Sequence, residues 1–296
     1  MTGALLYLSL GVATLAVSWA AIIIRLADAD PISTAFYRMF LSALIMAPFS
    51  IPGLAGQLRR LSRREIRLLI LSGILLGVHF AAWITSLKYT SISNSVIIVA
   101  TQPFFVGVAE ALIWKEKISR YTLIGMVLAF IGMVIISRSD FGLGGDHVLG
   151  DFLALIGAVC AGIYLMLGRR LRQNLGNRHY VFPVYSLAAV TLLVFVAAFR
   201  SPMTGFSQST WLYFLLLALI PTLVGHSLYN YLLKFVRAHL VAVTILGEPI
   251  GATVFAAVIF AEIPSVATCF GGGLILCGIF LALSRAKSEK SVTETA

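Results

Sequence analysis

Charged residues are scarce in this chain of 296 residues, and their scarcity narrows the class of protein. Only 11% of the residues are charged, while 59% are hydrophobic; a soluble domain carries about 25% charged residues. No water-soluble fold of this length can bury so many apolar side chains, so lipid must solvate most of them. The net charge is +10, but the basic residues form short clusters between apolar runs. We therefore expect no nucleic-acid partner.

The chain also lacks the motifs of common catalytic and cofactor sites. Its cysteines, Cys160, Cys269 and Cys277, lie in apolar segments without a CxxC pair, which argues against a disulfide framework. The patterns GxxxxGKS/T, HExxH and GxSxG are absent. We therefore expect no cofactor, no metal ion and no enzymatic activity.

Ten apolar runs are long enough to cross a bilayer, whose core takes about 20 residues of helix. No basic segment precedes the first run, so we interpret it as a span rather than a cleaved signal. The connections are short, which indicates one helical bundle without a soluble domain. The predicted spans are 4–24, 32–52, 67–86, 92–113, 119–137, 151–168, 179–199, 210–232, 239–260 and 265–284.

Lys and Arg residues are distributed unevenly between the two sides of these spans. Of the 22 basic residues, 17 fall on one side and 4 on the other, and Arg38 lies within a span. Cytoplasmic loops carry the excess of positive charge. The sequence therefore predicts a multi-pass protein of the cell (inner) membrane with both termini in the cytoplasm.

The sequence also repeats itself. Residues 83–137 align with 229–283 at a constant shift of 146 positions, with about 12 of 55 positions identical. Chance similarity between two apolar stretches is the alternative, but polar residues, prolines and glycines match as well. Matching positions include Lys88 with Lys234, Pro103 with Pro249, Glu116 with Glu262, Gly125 with Gly271 and Gly132 with Gly278. This pattern favours an internal duplication.

Five spans in each half is an odd number, so the second half enters the membrane in the opposite sense. The fold predicted is an all-α integral membrane protein, with ten transmembrane helices as two inverted five-helix repeats around a central cavity. Its predicted parts are residues 1–140, residues 146–286 and a polar cytoplasmic tail, 287–296. Inverted repeats are typical of carriers that work by alternating access.

The sequence resembles the EamA-type members of the drug/metabolite transporter superfamily over its whole length. The signatures that carry the resemblance are Ala35-Phe-Tyr-Arg38, Ala100-Thr-Gln-Pro103, Trp114-Lys-Glu116, Gly247-Glu-Pro249 and Ala261-Glu262. The resemblance implies a central cavity lined by the first, third, fourth, sixth, eighth and ninth spans. It also implies export from the cytoplasm, with amino acids, other metabolites or drugs as the substrate.

Glu248 is the strongest candidate for substrate binding, because charged groups at membrane depth are costly. It precedes Pro249, which frees a backbone carbonyl and bends a helix. Such a carboxyl can bind a substrate amine or take up a proton; the alternative is a structural carboxyl bonded to neighbouring helices. Gln102 and Pro103 occupy the equivalent place in the first half.

Aromatic and polar side chains form a second group of candidates. His79 and Trp83 share one face of the third span, and His226 and Asn230 share one face of the eighth. Trp83 and Tyr229 are repeat equivalents that could hold a flat or cationic substrate between them. The alternatives are an interfacial anchor for Trp83 and helix-packing roles for the histidines.

The remaining candidates are less specific. Trp19 and Tyr164 fall at similar depths and either line the cavity or pack. Asn94 either guards the outer entrance or caps a helix. The charge of Arg38 must form an ion pair or extend to the membrane interface, and Asp28 and Asp30 are available partners. We expect structural or gating roles for Arg38, Pro103 and Pro249. We expect Glu110 to pair with a basic loop residue.

A secondary transporter fits these observations best. The first hypothesis is export of small metabolites such as amino acids or related amines. The alternatives are an uptake carrier for an amine or quaternary amine, and a multidrug exporter. A membrane enzyme lacks a catalytic constellation, and a channel does not need inverted repeats. Proton coupling stays open, and small residues in the fifth and tenth spans fit either a packed monomer or a homodimer contact.

Overall fold

The structure of the protein, a computed structural model, describes residues 3–90, 92–115, 119–137, 146–261 and 266–284. Helices and short turns make up these residues, and the predicted polar tail, 287–296, lies outside them. The helices are α1 (Gly3–Ala27), α2 (Pro31–Ser50), α3 (Leu54–Arg59), α4 (Arg63–Tyr89), α5 (Ile92–Val99), α6 (Gln102–Trp114), α7 (Arg120–Ser137), α8 (Asp146–Arg172), α9 (Asn177–Phe199), α10 (Gln208–Leu217), α11 (Ser227–Leu232), α12 (Ala238–Ile245), α13 (Glu248–Phe260) and α14 (Val266–Ser284).

Seven stretches of the described residues are long and apolar enough to cross a membrane. They are Gly3–Ala27, Pro31–Ser50, Arg63–Tyr89, His147–Arg172, Asn177–Phe199, Gln208–Leu232 and Ala238–Phe260. Two shorter apolar stretches, Arg120–Gly132 and Cys269–Ala282, belong to α7 and α14. Large apolar side chains such as Leu112, Val258 and Phe280 point outward, as they must where the solvent is lipid.

Three predicted spans are not continuous α-helices. The run 92–113 is divided into α5 and α6, and the run 239–260 into α12 and α13. Pro103 and Pro249 lie in the first turn of α6 and α13, where the missing N–H of proline is tolerated. The prolines therefore stand at complete helix breaks rather than at the bends that the sequence suggested.

The third irregular span is the eighth. A π-helical segment, Ala218–His226, joins α10 to α11 and contains Pro221. Its wider turn is stabilised by Thr222, whose hydroxyl donates to the carbonyl of Leu217 at 2.9 Å. Ser227 donates in the same way to Thr222 at 3.3 Å. Such segments are rare and occur often at functional sites.

The two halves of the chain are interleaved. Helix α1 packs against α13 and the π-helical segment of the second half, and α8 packs against α4 and α6 of the first half. Gly157 and Gly162 of α8 lie against α4 and α6, where little space remains for a side chain. One core extends through both halves as a result.

Helices α7 and α14 pack against each other through glycines. A methyl group on Gly125 would overlap the carbonyl oxygen of Gly278, and one on Gly132 would overlap that of Gly271. The helices run in opposite directions along this contact. The glycines therefore form a packed surface within one chain, which is one of the two roles expected for them; the other was a homodimer contact.

Candidate functional site

The structure contains a cavity between the two halves, near the breaks in the helices. It encloses about 610 Å³ of empty space, including the space at its opening. Its wall is formed by Val17, Ala20, Arg38, Leu76, His79, Trp83, Val96, Val99, Ala100, Gln102, Ala161, Tyr164, Leu165, His226, Tyr229, Ile245 and Glu248. A few polar groups thus interrupt an apolar surface, as in sites that bind small molecules.

The two helix breaks each place a polar side chain on this wall. Gln102 is the first residue of α6, and Glu248 is the first residue of α13. Both line the cavity, and they are 146 positions apart in the sequence. The breaks therefore put an amide and a carboxyl at equivalent places in the two halves.

Arg38 of α2 is fully buried and also lines the cavity. Its Nε donates a hydrogen bond of 2.8 Å to Oγ1 of Thr222, in the π-helical segment. The centre of its guanidinium group lies 4.1 Å from the centroid of the Phe80 ring, which is a cation–π distance. Nη1 and Nη2 have no hydrogen-bond partner.

The expectation that Asp28 or Asp30 pairs with Arg38 was wrong. Asp30 instead caps α2, because its carboxylate accepts from the backbone N–H groups of Ile32 and Ser33 at 3.0 Å each. The aspartates were favoured because they are close to Arg38 in the sequence. In the structure, however, α2 directs Arg38 inward, where it contacts Phe80 and Thr222, which are more than 40 and about 180 residues away in the sequence.

Trp83 and His79 form one aromatic wall of the cavity. Their rings are nearly parallel, with centroids 5.9 Å apart. Nδ1 of His79 lies 2.9 Å from the carbonyl oxygen of Gly157, and this acceptor requires the proton to be on Nδ1. Trp83 is only 4% exposed, so it is not an interfacial anchor. Its Nε1 is buried without a partner.

On the side of the second half, the wall consists of tyrosines that are held by hydrogen bonds. The hydroxyl of Tyr229 lies 2.7 Å from that of Thr14 in α1. The hydroxyl of Tyr164 accepts from Nδ2 of Asn230 at 2.5 Å. The backbone carbonyl of Asn230 accepts from Nε of Arg172 at 2.9 Å. These contacts fix the tyrosine rings between the two halves.

The structure brings together seven of the nine residues predicted to bind substrate. His79, Trp83, Gln102, Tyr164, His226, Tyr229 and Glu248 line the cavity. Trp19 is elsewhere, stacked on Phe255 with ring centroids 4.1 Å apart. Asn230 stands behind Tyr164 rather than on the wall, and the side chain of Asn94 lies outside the described residues. The wall position of Arg38 was not predicted.

A separate polar cluster joins α6 to α8 and α12. The carboxylate of Glu110, which is fully buried, lies 3.1 Å from Nη1 of Arg169 and 2.5 Å from Nδ1 of His239. It also accepts from the backbone N–H of Ala238 at 3.1 Å. Glu110 thus pairs with a basic residue, but Arg169 and His239 belong to helices α8 and α12 rather than to a loop, which the sequence had suggested. The contacts tie the first half to the second.

In the part of the chain that the structure describes, no three His, Cys, Asp or Glu side chains lie close enough together to hold a metal ion. What the cavity offers instead is a set of separate charged, amide and aromatic groups. Such a cavity between two halves of an apolar helical bundle, at breaks in its helices, is the arrangement of a membrane transporter.

The comparisons with known proteins agree with this class. The model of the EamA-like transporter family matches residues 2–138 and again residues 148–284. The chain therefore belongs to the EamA-like transporter family, within the drug/metabolite transporter superfamily. Since 148 − 2 and 284 − 138 are both 146, the two matches are displaced by the shift that aligns the sequence with itself.

Three individual proteins that match the chain share less than 30% sequence identity with it. An uncharacterized transporter of Archaeoglobus fulgidus is 28% identical over 271 residues, which are 88% of this chain and 91% of the relative. An uncharacterized transporter of Clostridium kluyveri is 24% identical over 90% of this chain and 88% of the relative. A protein of known crystal structure matches with a TM-score of 0.79 over 97% of this chain and 99% of its own, at 19% identity. That likeness concerns the fold alone.

Proposed function

We propose that this protein is a secondary transporter that exports small metabolites, amino acids or related amines in the first instance, by alternating access. The observation that carries the proposal is the position of Glu248, a carboxyl on the cavity wall at a helix break. A carboxyl at membrane depth is costly unless it binds a cation. A substrate ammonium group is such a cation.

Alternating access rests on the proposed topology. In this topology ten helices cross the membrane as two inverted repeats, residues 1–140 and 146–286, with both termini in the cytoplasm. The pairing of α7 with α14 supports it, because Gly125 meets the repeat equivalent of Gly132, and Gly132 meets the repeat equivalent of Gly125. A twofold axis generates reciprocal contacts of this kind.

The Glu110 cluster has a natural place in this proposal. The distribution of Lys and Arg puts the end of α6 and the beginning of α12 on the cytoplasmic side. Contacts of Glu110 with Arg169 and His239 then hold the halves together at that end. Opening toward the cytoplasm requires these contacts to break, so the cluster acts as a cytoplasmic gate.

An uptake carrier for an amine or quaternary amine is the second candidate. Trp83 and Tyr229 both line the cavity, and aromatic faces attract cations that cannot donate hydrogen bonds. A multidrug exporter is a weaker candidate, because an apolar drug would leave the polar groups of the cavity wall without hydrogen-bond partners.

Counterflow of labelled amino acids and amines into proteoliposomes tests the proposal. The purified protein is expected to exchange substrate without ATP. A strict requirement for ATP contradicts a secondary transporter. Exchange of quaternary amines without exchange of amino acids would favour the second candidate.

A further inference from the structure

Three donor nitrogens on the described part of the cavity wall are left without an acceptor. They are Nη1 and Nη2 of Arg38 and Nε1 of Trp83, all buried and without a hydrogen-bond partner. Both residues line the cavity, and the guanidinium carbon lies 6.0 Å from the centroid of the Trp83 ring. Buried donors are rarely left unpaired in proteins, and a clustered set of them marks a place for an acceptor.

The rest of the guanidinium group is already fixed. Nε is used by Thr222, and the ring of Phe80 lies against the group. The terminal nitrogens therefore keep a set position, and because they are shielded from bulk water their acceptor must come from the cavity. A planar guanidinium with two free nitrogens matches a carboxylate, which accepts two parallel hydrogen bonds.

Glu248 does not supply this acceptor. It lines the same cavity but makes no hydrogen bond to the terminal nitrogens of Arg38. A fixed cation and a carboxyl thus lie on one wall and feel each other's charge, but no hydrogen bond joins Glu248 to the terminal nitrogens. A molecule that carries a carboxylate and an ammonium group can contact both, whereas a simple amine leaves the guanidinium unpaired.

We propose that Arg38 and Trp83 form an oxyanion subsite that binds the carboxylate of a zwitterionic substrate, whose ammonium group faces Glu248. This assignment deepens the proposed function and rests on it, since it takes the cavity to be the transport site. It gives Arg38 a binding role in place of the structural role that the sequence suggested. Thr222 is a positioning residue, because it acts through Arg38.

The test measures binding to the purified protein in detergent, independently of transport. The probes are the twenty standard L-amino acids, each compared with its amide, which lacks the carboxylate, and with its deaminated acid, which lacks the amine. For those that bind, the wild-type protein is expected to prefer the free amino acid over its amide by about tenfold or more.

Two variants examine the donors separately. Arg38→Gln removes the cation, and Trp83→Phe removes the indole N–H while keeping an aromatic ring. Each is expected to reduce the preference for the free amino acid at least severalfold while amide binding persists. Trp211→Phe is the matched control, because Trp211 belongs to an aromatic cluster with Tyr37 and Phe214 and does not line the cavity. If Arg38→Gln does not fold, Trp83→Phe and Thr222→Val, which removes the hydroxyl that holds Arg38, still test the subsite through the preference for the free amino acid.

The outcomes separate this subsite from the transport proposal. Equal binding of amino acids and amides by the wild-type protein, or an unchanged preference in the variants, overturns the subsite even if amines are transported. Carboxylate-dependent binding that disappears in the variants supports the subsite even if proteoliposomes show no exchange. In that last case the proposed function fails, and Arg38 and Trp83 form a carboxylate-binding site that is not a transport site.

Discussion

Gly125 of α7 faces Gly278 of α14 so closely that a methyl group on either one would overlap the carbonyl oxygen of the other. The second contact of the same kind joins Gly132 to Gly271. These four positions form two repeat-equivalent pairs, at a shift of 146. One contact surface therefore accounts for the glycines that the duplication preserves in both halves.

Substitution of these glycines tests how closely the helices must approach. Gly125→Ala is expected to destabilise the protein by about 1–3 kcal/mol, because the added methyl group must push the helices apart. Gly273→Ala, on α14, is the matched control, since nothing lies within 4 Å of a Cβ at that position. Thermal unfolding in detergent compares the two variants. Equal melting temperatures would show that the glycine contact is not tight.

Replacement of Glu248 tests the amine-binding role of its carboxyl. Glu248→Gln keeps the shape and removes the charge, and we expect at least a tenfold loss of counterflow, since a charge-assisted hydrogen bond is worth about 1.5–3 kcal/mol. Glu65→Gln is a suitable control, because Glu65 caps α4 far from the cavity wall and glutamine also serves in a capping box. The idea fails if both variants transport equally at equal membrane expression.

Substitution of Glu110 tests the proposed cytoplasmic gate. Glu110→Gln weakens the contacts to Arg169 and His239, so the population open to the cytoplasm should rise. Val99→Cys on the cavity wall, in a background without native cysteines, reports this through its labelling rate by an impermeant thiol reagent in inside-out vesicles. We expect severalfold faster labelling when Glu110→Gln is added than with Val99→Cys alone in the same background. Unchanged labelling contradicts the gate.

Much of the fold follows from the sequence. Helices occupy each predicted apolar run, because long stretches without charges can satisfy their backbone in lipid only as helices. The break before α13 also has a sequence signal in Pro249, because proline lacks an N–H and is tolerated in the first turn of a helix but not in its interior. Pro221 likewise signals an irregularity in the eighth span, but not that it is π-helical, because the wide turn depends on Thr222, which contacts Arg38 of α2.

The cavity was harder to predict in detail. Trp19 has the expected depth in α1 but faces Phe255, because depth does not fix the rotation of a helix about its axis. In lipid both the outward and the inward faces are apolar, so the pattern of apolar residues indicates rotation poorly. Gln102 and Glu248 were predictable as cavity residues because polar groups at membrane depth are costly and a proline follows each of them.

The most direct test of the account concerns the two halves' orientation. Lys88 and Lys234 are repeat equivalents and both are exposed. Lys88→Cys and Lys234→Cys, each in a background without Cys160, Cys269 and Cys277, are treated with an impermeant thiol reagent in intact cells. We expect labelling at position 88 at once, and at position 234 only after the membrane is permeabilised. Labelling of both positions from the same side would contradict inverted repeats and, with them, the proposed transport cycle.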